Sequence, residues 1–205
     1  TVVKVQSNVH AINSEGEKRL LKLYDTIYLN EEVITNERSS IIIQYFDNST
    51  IILKKKSSIE ATDFTLGTAK NLFLGVIDKG SAIIESGKIA KDSNSKMGIK
   101  LPSMSLDIRG TRFNIGQKED GSYDVSLAED SFGNVGTINV SSAGTVKTLF
   151  NPKQVISIND DQIVERPQTD IEKNDLDEVT QDFIDVKIIN EEDIQKTLES
   201  QLFNG

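Results

Sequence analysis

The chain has 205 residues, of which 37% are hydrophobic, with 23 Lys and Arg against 32 Asp and Glu for a net charge of −9, one His, no Cys and no Trp. The absent thiols exclude disulfide frameworks, thiolate metal sites and cysteine nucleophiles, and a single His excludes chemistry that needs two imidazoles. No stretch approaches the ~20 apolar residues of a membrane span, and the modest apolar share confines the core to part of the length.

Residues 1–165 carry the marks of an all-β domain. Short strands are expected over residues 2–9 and 25–29, with a turn at Asn13-Ser14-Glu15-Gly16 between them. Ile41-Ile42-Ile43-Gln44-Tyr45-Phe46 then leads into Asp47-Asn48-Ser49 and returns as Thr50-Ile51-Ile52-Leu53. Two β-rich runs flanking Asp-Asn predict a hairpin, because Asn tolerates the left-handed backbone that such turns demand. Lys54-Lys55-Lys56 is the tightest basic run. It is a solvated strand end rather than a patch for displacing counterions from phosphates, so nucleic acid is not an expected partner. Further strands are expected over 72–77, 82–85, 135–140 and 155–158, separated by Lys79-Gly80, Ser86-Gly87, Gly133-Asn134 and Ala143-Gly144. A second hairpin runs from Arg112-Phe113-Asn114-Ile115-Gly116 through Glu119-Asp120-Gly121-Ser122 into Tyr123-Asp124-Val125-Ser126-Leu127. Period-two alternation around the two hairpins places Ile43, Phe46, Ile52, Phe113 and Ile115 in the core. The two hairpins also suggest a degenerate duplication, with Ile34-Thr35 and Leu101-Pro102 as matching entry segments.

The last forty residues differ in charge and in period. Residues 1–165 hold 19 basic and 21 acidic residues, a balance of −2, whereas residues 166–205 hold 4 and 11, a balance of −7. The shift marks a boundary at Arg166-Pro167, between an all-β domain (1–165) and an acidic helical arm (166–205). Leu176, Val179 and Phe183 line one face of a helix that Thr169-Asp170 would cap. Ile194, Leu198 and Leu202 line a second helix behind Asn190-Glu191-Glu192-Asp193. Such short helices bury their stripes against something. The acidity favours a basic partner surface over the chain's own sheet, which makes these six residues candidate partner contacts on an exposed docking arm whose removal spares the β domain.

Residues 99–115 contain Arg109-Gly110-Thr111-Arg112-Phe113, which resembles the Arg-Gly-Thr-x-Phe signature of the FecR family. Leu23-Tyr24-Asp25-Thr26-Ile27, Val33-Ile34-Thr35, the 43–53 hairpin, Gly80 with Ala82-Ile83-Ile84, and Val155-Ile156-Ser157-Ile158 are similar to other family segments. The chain departs from the family at Tyr24, at Leu101-Pro102 and at Glu129-Asp130, all in turns. The resemblance implies a FecR-like β-sandwich or short β-helix domain outside the bacterial cytoplasm, in the periplasm or at the cell surface. Named family members relay a signal from an outer-membrane receptor to a sigma factor. A chain beginning at Thr1 matches the expectation that a signal peptide has been removed.

The individual residues point to structure rather than chemistry. Arg109, between apolar residues and Gly-Thr, is expected buried or half-buried, binding backbone carbonyls or Asp107, with Gly110 permitting close backbone approach. Thr111 and Phe113 complete this structural motif. His10 lacks a second imidazole, and Glu31-Glu32, Glu119-Asp120 and Asp160-Asp161 have the character of solvated turns. No catalytic residue, metal ligand or cofactor site emerges, so the expectation is a non-catalytic protein working through protein–protein contact or self-association in the envelope. The alternatives are a structural subunit docked through the arm, and a carbohydrate-binding accessory domain, for which a groove of exposed aromatic rings would be the mark.

Overall fold

A computed structural model describes residues 1–67, 70–159, 162–183, 185 and 186. Among these there are seventeen strands: β1 (Val2–Gln6), β2 (His10–Ile12), β3 (Lys18–Leu20), β4 (Glu32–Ile34), β5 (Ser40–Gln44), β6 (Thr50–Leu53), β7 (Ser58–Thr65), β8 (Leu72–Val76), β9 (Ala82–Glu85), β10 (Lys96–Lys100), β11 (Ser105–Arg109), β12 (Arg112–Gln117), β13 (Tyr123–Ala128), β14 (Thr137–Ser142), β15 (Thr145–Leu149), β16 (Gln154–Asn159) and β17 (Gln162–Pro167). A single helical turn, α1 (Lys88–Lys91), follows β9, and helix α2 (Asp170–Glu178) follows β17. The first sheet has the order β1-β5-β6-β9-β12-β13-β16-β17, and the second β15-β14-β11-β10-β8-β7-β4-β2-β3. Every pairing is antiparallel except β8 with β10.

The main core lies between the sheets. Ile43, Phe113 and Ile115 from the first face Phe73, Ile99 and Ile108 from the second, all buried. Ile52 is buried too, but on the opposite face of the first sheet. Phe46 departs from expectation: it is 80% exposed, because β5 ends at Gln44 and Phe46 sits in the hairpin loop. The expected strand at 25–29 is also absent. That segment is a loop tied down by Arg19, which donates to the Thr26 carbonyl at 2.6 Å.

Both hairpins close with the same chemistry. Tyr45 N–H donates to the Ser49 carbonyl, as Lys118 N–H does to Ser122. Asn48 (φ 67°) and Gly121 (φ 84°) take the left-handed position, and the Asp47 and Asp120 carboxylates accept from Ser49 and Ser122. The duplication extends through the topology. Strands β4 to β9 pair as β4·β7·β8 in one sheet and β5·β6·β9 in the other. Strands β11 to β16 repeat this as β11·β14·β15 and β12·β13·β16. The entry expected at Leu101-Pro102 is displaced: those residues lie in the β10–β11 hairpin, and the counterpart of Ile34-Thr35 is Gly110-Thr111. Thr35 Oγ1 donates to the Lys54 carbonyl (2.6 Å) as Thr111 Oγ1 does to Ala128 (3.2 Å), each bracing the end of its return strand.

The C-terminal segment is not an exposed arm where it is described. Helix α2 starts at a full capping box, with Thr169 accepting from the Glu172 N–H and Glu172 accepting from the Thr169 N–H. Leu176, Val179, Phe183 and Val186 pack on Ile42, Ile52 and Ile83, the outer face of the first sheet. Ion pairs ring the contact: Lys4 with Asp182 (2.6 Å), Lys54 with Asp175 (3.6 Å), and Arg166 with Glu172. The acidity expected to meet a partner's basic surface meets the chain's own lysines instead. The second stripe, Ile194, Leu198 and Leu202, lies outside the described residues.

Candidate functional site

The segment Arg109-Gly110-Thr111-Arg112-Phe113 is the corner where the chain leaves the second sheet at the end of β11 and enters the first at β12. The turn needs a left-handed residue, and Gly110 supplies it with φ 58°. Gly136 closes over the corner from outside. A Cβ there would lie 1.8 Å from the Arg109 carbonyl oxygen and 2.2 Å from that of Gly110. Thr111 is buried and stitched to Ser86, whose Oγ accepts from the Thr111 N–H (2.8 Å) and donates to its carbonyl (3.0 Å). Phe113 drops into the main core.

Arg109 is half-buried, its side chain 40% exposed, and its Nη1 donates to the Ser95 carbonyl at 2.8 Å and to that of Asp92 at 3.5 Å. Its Nε lies 3.9 Å from Asp107 Oδ1. The guanidinium thus ties the loop after α1 to the sheet corner.

The deeper arginine is Arg112, which sequence reasoning passed over as the variable position of the motif. It is 3% exposed, and its Nε and Nη2 donate to Glu85 Oε2 at 3.0 and 2.9 Å. Glu85 is directly across the β9–β12 ladder from it and equally buried. The same carboxylate oxygen accepts from Ser131 N–H (3.0 Å) and Ser131 Oγ (2.7 Å). On its outer side Arg112 donates from Nη1 to Thr180 Oγ1 (2.8 Å) and lies 4.7 Å from the Phe183 ring centroid, a cation–π contact. Sheet and C-terminal helical segment are therefore joined through one guanidinium. Two signals in the sequence pointed here: an Arg beside the motif's Phe, and a Glu closing the apolar run Ala82-Ile83-Ile84.

Next to this pair, Asp130 is buried at the base of a tight turn. Burial alone would raise its pKa, but the Asn134 and Phe132 N–H groups and Lys91 Nζ (3.0 Å) outweigh it and hold it at about 2. Glu172 is likewise held at about 2, chiefly by Arg166. Glu31 is not a solvated turn residue: it is buried and paired twice with Arg19, which lowers its pKa. Asp160 and Asp161 lie outside the described residues. Among the described residues no group of three His, Cys, Asp or Glu is arranged to hold a metal, and no helix is long and apolar enough to cross a membrane.

The fold and its corner define a two-sheet β domain of duplicated halves, locked by a buried Arg–Glu pair. Residues 31–131 match the family described as FecR protein, so the chain carries a FecR domain of that family. Two crystal structures, each titled a "putative anti-sigma factor" from Parabacteroides distasonis, share the fold at 16% and 18% identity, with TM-scores of 0.54 and 0.53. Each match covers 67% of this chain and 59% of the other, so the chain spans less than two thirds of its solved neighbours. Comparison with curated proteins gives no match.

Proposed function

We propose that this chain is a non-catalytic regulatory protein that acts by protein–protein contact in the bacterial envelope, in the manner of a signal relay. The observation that carries the reading is the FecR domain at residues 31–131, on a fold it shares with proteins named as anti-sigma factors. The corner supports it: Arg109, Arg112, Glu85 and Thr111 are engaged in holding strands and loops together, which suits a rigid scaffold presenting a surface. The described part of the C-terminal segment is seated on that scaffold, so a partner meets another face. Extracytoplasmic location belongs to the same proposal.

The test is fractionation and in-cell cross-linking of the tagged protein in its native host, together with transcript profiling of a deletion strain. An envelope-fraction protein cross-linked to one partner, with a defined gene set altered on deletion, is the expected result. A cytosolic protein without a cross-linked partner, whose loss leaves transcription unchanged, overturns it.

A further inference from the structure

At the end of the sandwich that carries the β5–β6 hairpin, a cavity of about 260 Å³ opens between that hairpin and the loop that follows β3. Its walls include Thr26, Tyr28, Gln44, Tyr45, Phe46 and Phe64; no lining side chain is charged, and the one charged group on the wall is the Thr1 α-ammonium, which donates to the Gln44 carbonyl at 2.8 Å. In a chain with 27% charged residues, a wall without a charged side chain is unusual. Tyr28 and Phe46 are 63% and 80% exposed, so two aromatic side chains stand at the mouth. Exposed rings of this size ordinarily cost solubility, and a cluster of them around a cavity marks a recognition site.

The rings are held in place from behind. Phe64, Phe73 and Tyr45 form a packed aromatic floor, with centroids 4.7–5.8 Å apart. Arg19 lies 5.6 Å from the Tyr28 ring centroid and is fixed by two bonds to Glu31, which also accepts from the Tyr28 N–H at 2.9 Å. Asn30 N–H donates to the Ala61 carbonyl, pinning the far end of the same loop. Phe46 rides on the hairpin turn that Asp47 and Asn48 lock. A platform organised in advance in this way keeps the ordering cost of binding low.

Apart from the Thr1 ammonium, the polar groups are few and neutral. The Tyr45 hydroxyl has no hydrogen-bond partner among the described residues. Burial, with Asp47 nearby, pushes its pKa well up, so it stays a neutral donor. The volume falls below the roughly 300–1,000 Å³ of clefts that take drug-sized ligands, which leaves room for one six-membered ring rather than a chain. A cavity of single-ring size with no charged side chain on its wall, with aromatic faces for C–H contacts and hydroxyl groups at its wall, fits a neutral saccharide. A phosphorylated or carboxylated ligand would meet a single cation on the wall, the Thr1 ammonium, which already donates to the Gln44 carbonyl and whose pKa is lowered by burial.

We infer that this cavity binds one neutral pyranose unit, stacked on Tyr28 and Phe46 and oriented by the Tyr45 hydroxyl. The site is separate from the sheet corner and does not rest on the regulatory reading, so either can fail alone.

The test is a titration of the whole protein with methyl glucoside, methyl galactoside, N-acetylglucosamine and glucose 6-phosphate, read by amide NMR shifts and tyrosine fluorescence. Fluorescence is informative because the chain has four Tyr and no Trp. Saturable shifts confined to residues 26–29, 44–46 and 61–64 are expected with at least one neutral sugar, at a Kd on the order of millimolar. Tyr28→Ala and Phe46→Ala change exposed side chains and should fold like the parent, while weakening binding about tenfold or more. No saturable shift with any neutral sugar overturns the assignment. So does binding that survives both substitutions, or tighter binding of the phosphorylated sugar.

Discussion

Replacing Arg112 with Ala should separate the two arginines of the corner by their energetic weight. In the parent, Glu85 Oε2 accepts two bonds from Arg112 and two from Ser131. The variant keeps the Ser131 bonds but takes the Arg112 guanidinium away from a carboxylate enclosed at 3% exposure. Breaking one side of a buried ion pair costs about 3–5 kcal/mol, and the lost cation–π contact with Phe183 adds about 0.5–1 kcal/mol. For a chain of this length that is a fall in Tm of roughly 7–24 °C. Arg109→Ala loses one good bond, to the Ser95 carbonyl, at a site open enough for water to replace it, so about 0.5–1.5 kcal/mol is expected. The double change Arg112→Met with Glu85→Leu removes both charges and should recover most of the loss. Urea unfolding followed by circular dichroism, with the slope m checked for constancy, reads all three variants. An Arg112→Ala protein that melts like the parent, or one matched by Arg109→Ala, would refute the assignment of Arg112 as the central tie.

Phe183→Ala should cost about 3–5 kcal/mol by calorimetry, because the ring is fully buried over Arg112. Ending the chain at Gln168 should lower Tm and promote self-association by light scattering, as Ile42, Ile52 and Ile83 lose their cover. Glu172 is lowered from 4.5 to about 2, so its contribution is fully present above pH 4.5 and fades as pH falls through about 2. Hydrogen exchange should therefore show residues 170–183 loosening before the sandwich in that window, and Glu172→Gln should abolish the difference. Gly136→Ala drives a Cβ into the Arg109 and Gly110 carbonyls, fixed backbone that cannot step aside, so poor soluble expression or a loss above about 4 kcal/mol is expected.

The hairpins, the all-β class and the buried character of Phe113 were legible because they depend on local rules: period two, turn residues and a left-handed glycine. Phe46 was misplaced because alternation says which way a side chain points but not where the ladder stops, and here it stops two residues earlier. Arg112 escaped notice because its partner Glu85 lies 27 residues away, on a strand brought alongside only by the topology. The aromatic cavity escaped for the same reason, since Tyr28, Phe46 and Phe64 meet only once loop and hairpin converge.

The fate of the acidic helix was open to a better argument than charge. Strands β5, β6 and β9 have unbroken apolar runs, Ile41-Ile42-Ile43, Ile51-Ile52-Leu53 and Ala82-Ile83-Ile84, and every one of those residues is buried. A strand covered on one face alternates, as β2, β8 and β14 of the second sheet do. A strand that is apolar at successive positions has a layer on both faces. The main core supplies one layer to the first sheet, so something else had to supply the other. The sequence offered two helical stripes for this layer, and the nearer one, Leu176, Val179 and Phe183, occupies it. Acidic residues around it do not argue against self-docking when Lys4, Lys54 and Arg166 border the sheet that receives it. The FecR match ends at Ser131, so the motif arginine and its carboxylate lie inside the matched stretch while Thr180 and Phe183 lie beyond it. The corner is thus complete toward Glu85 within the domain, and the outer side of Arg112 is finished by the segment that follows.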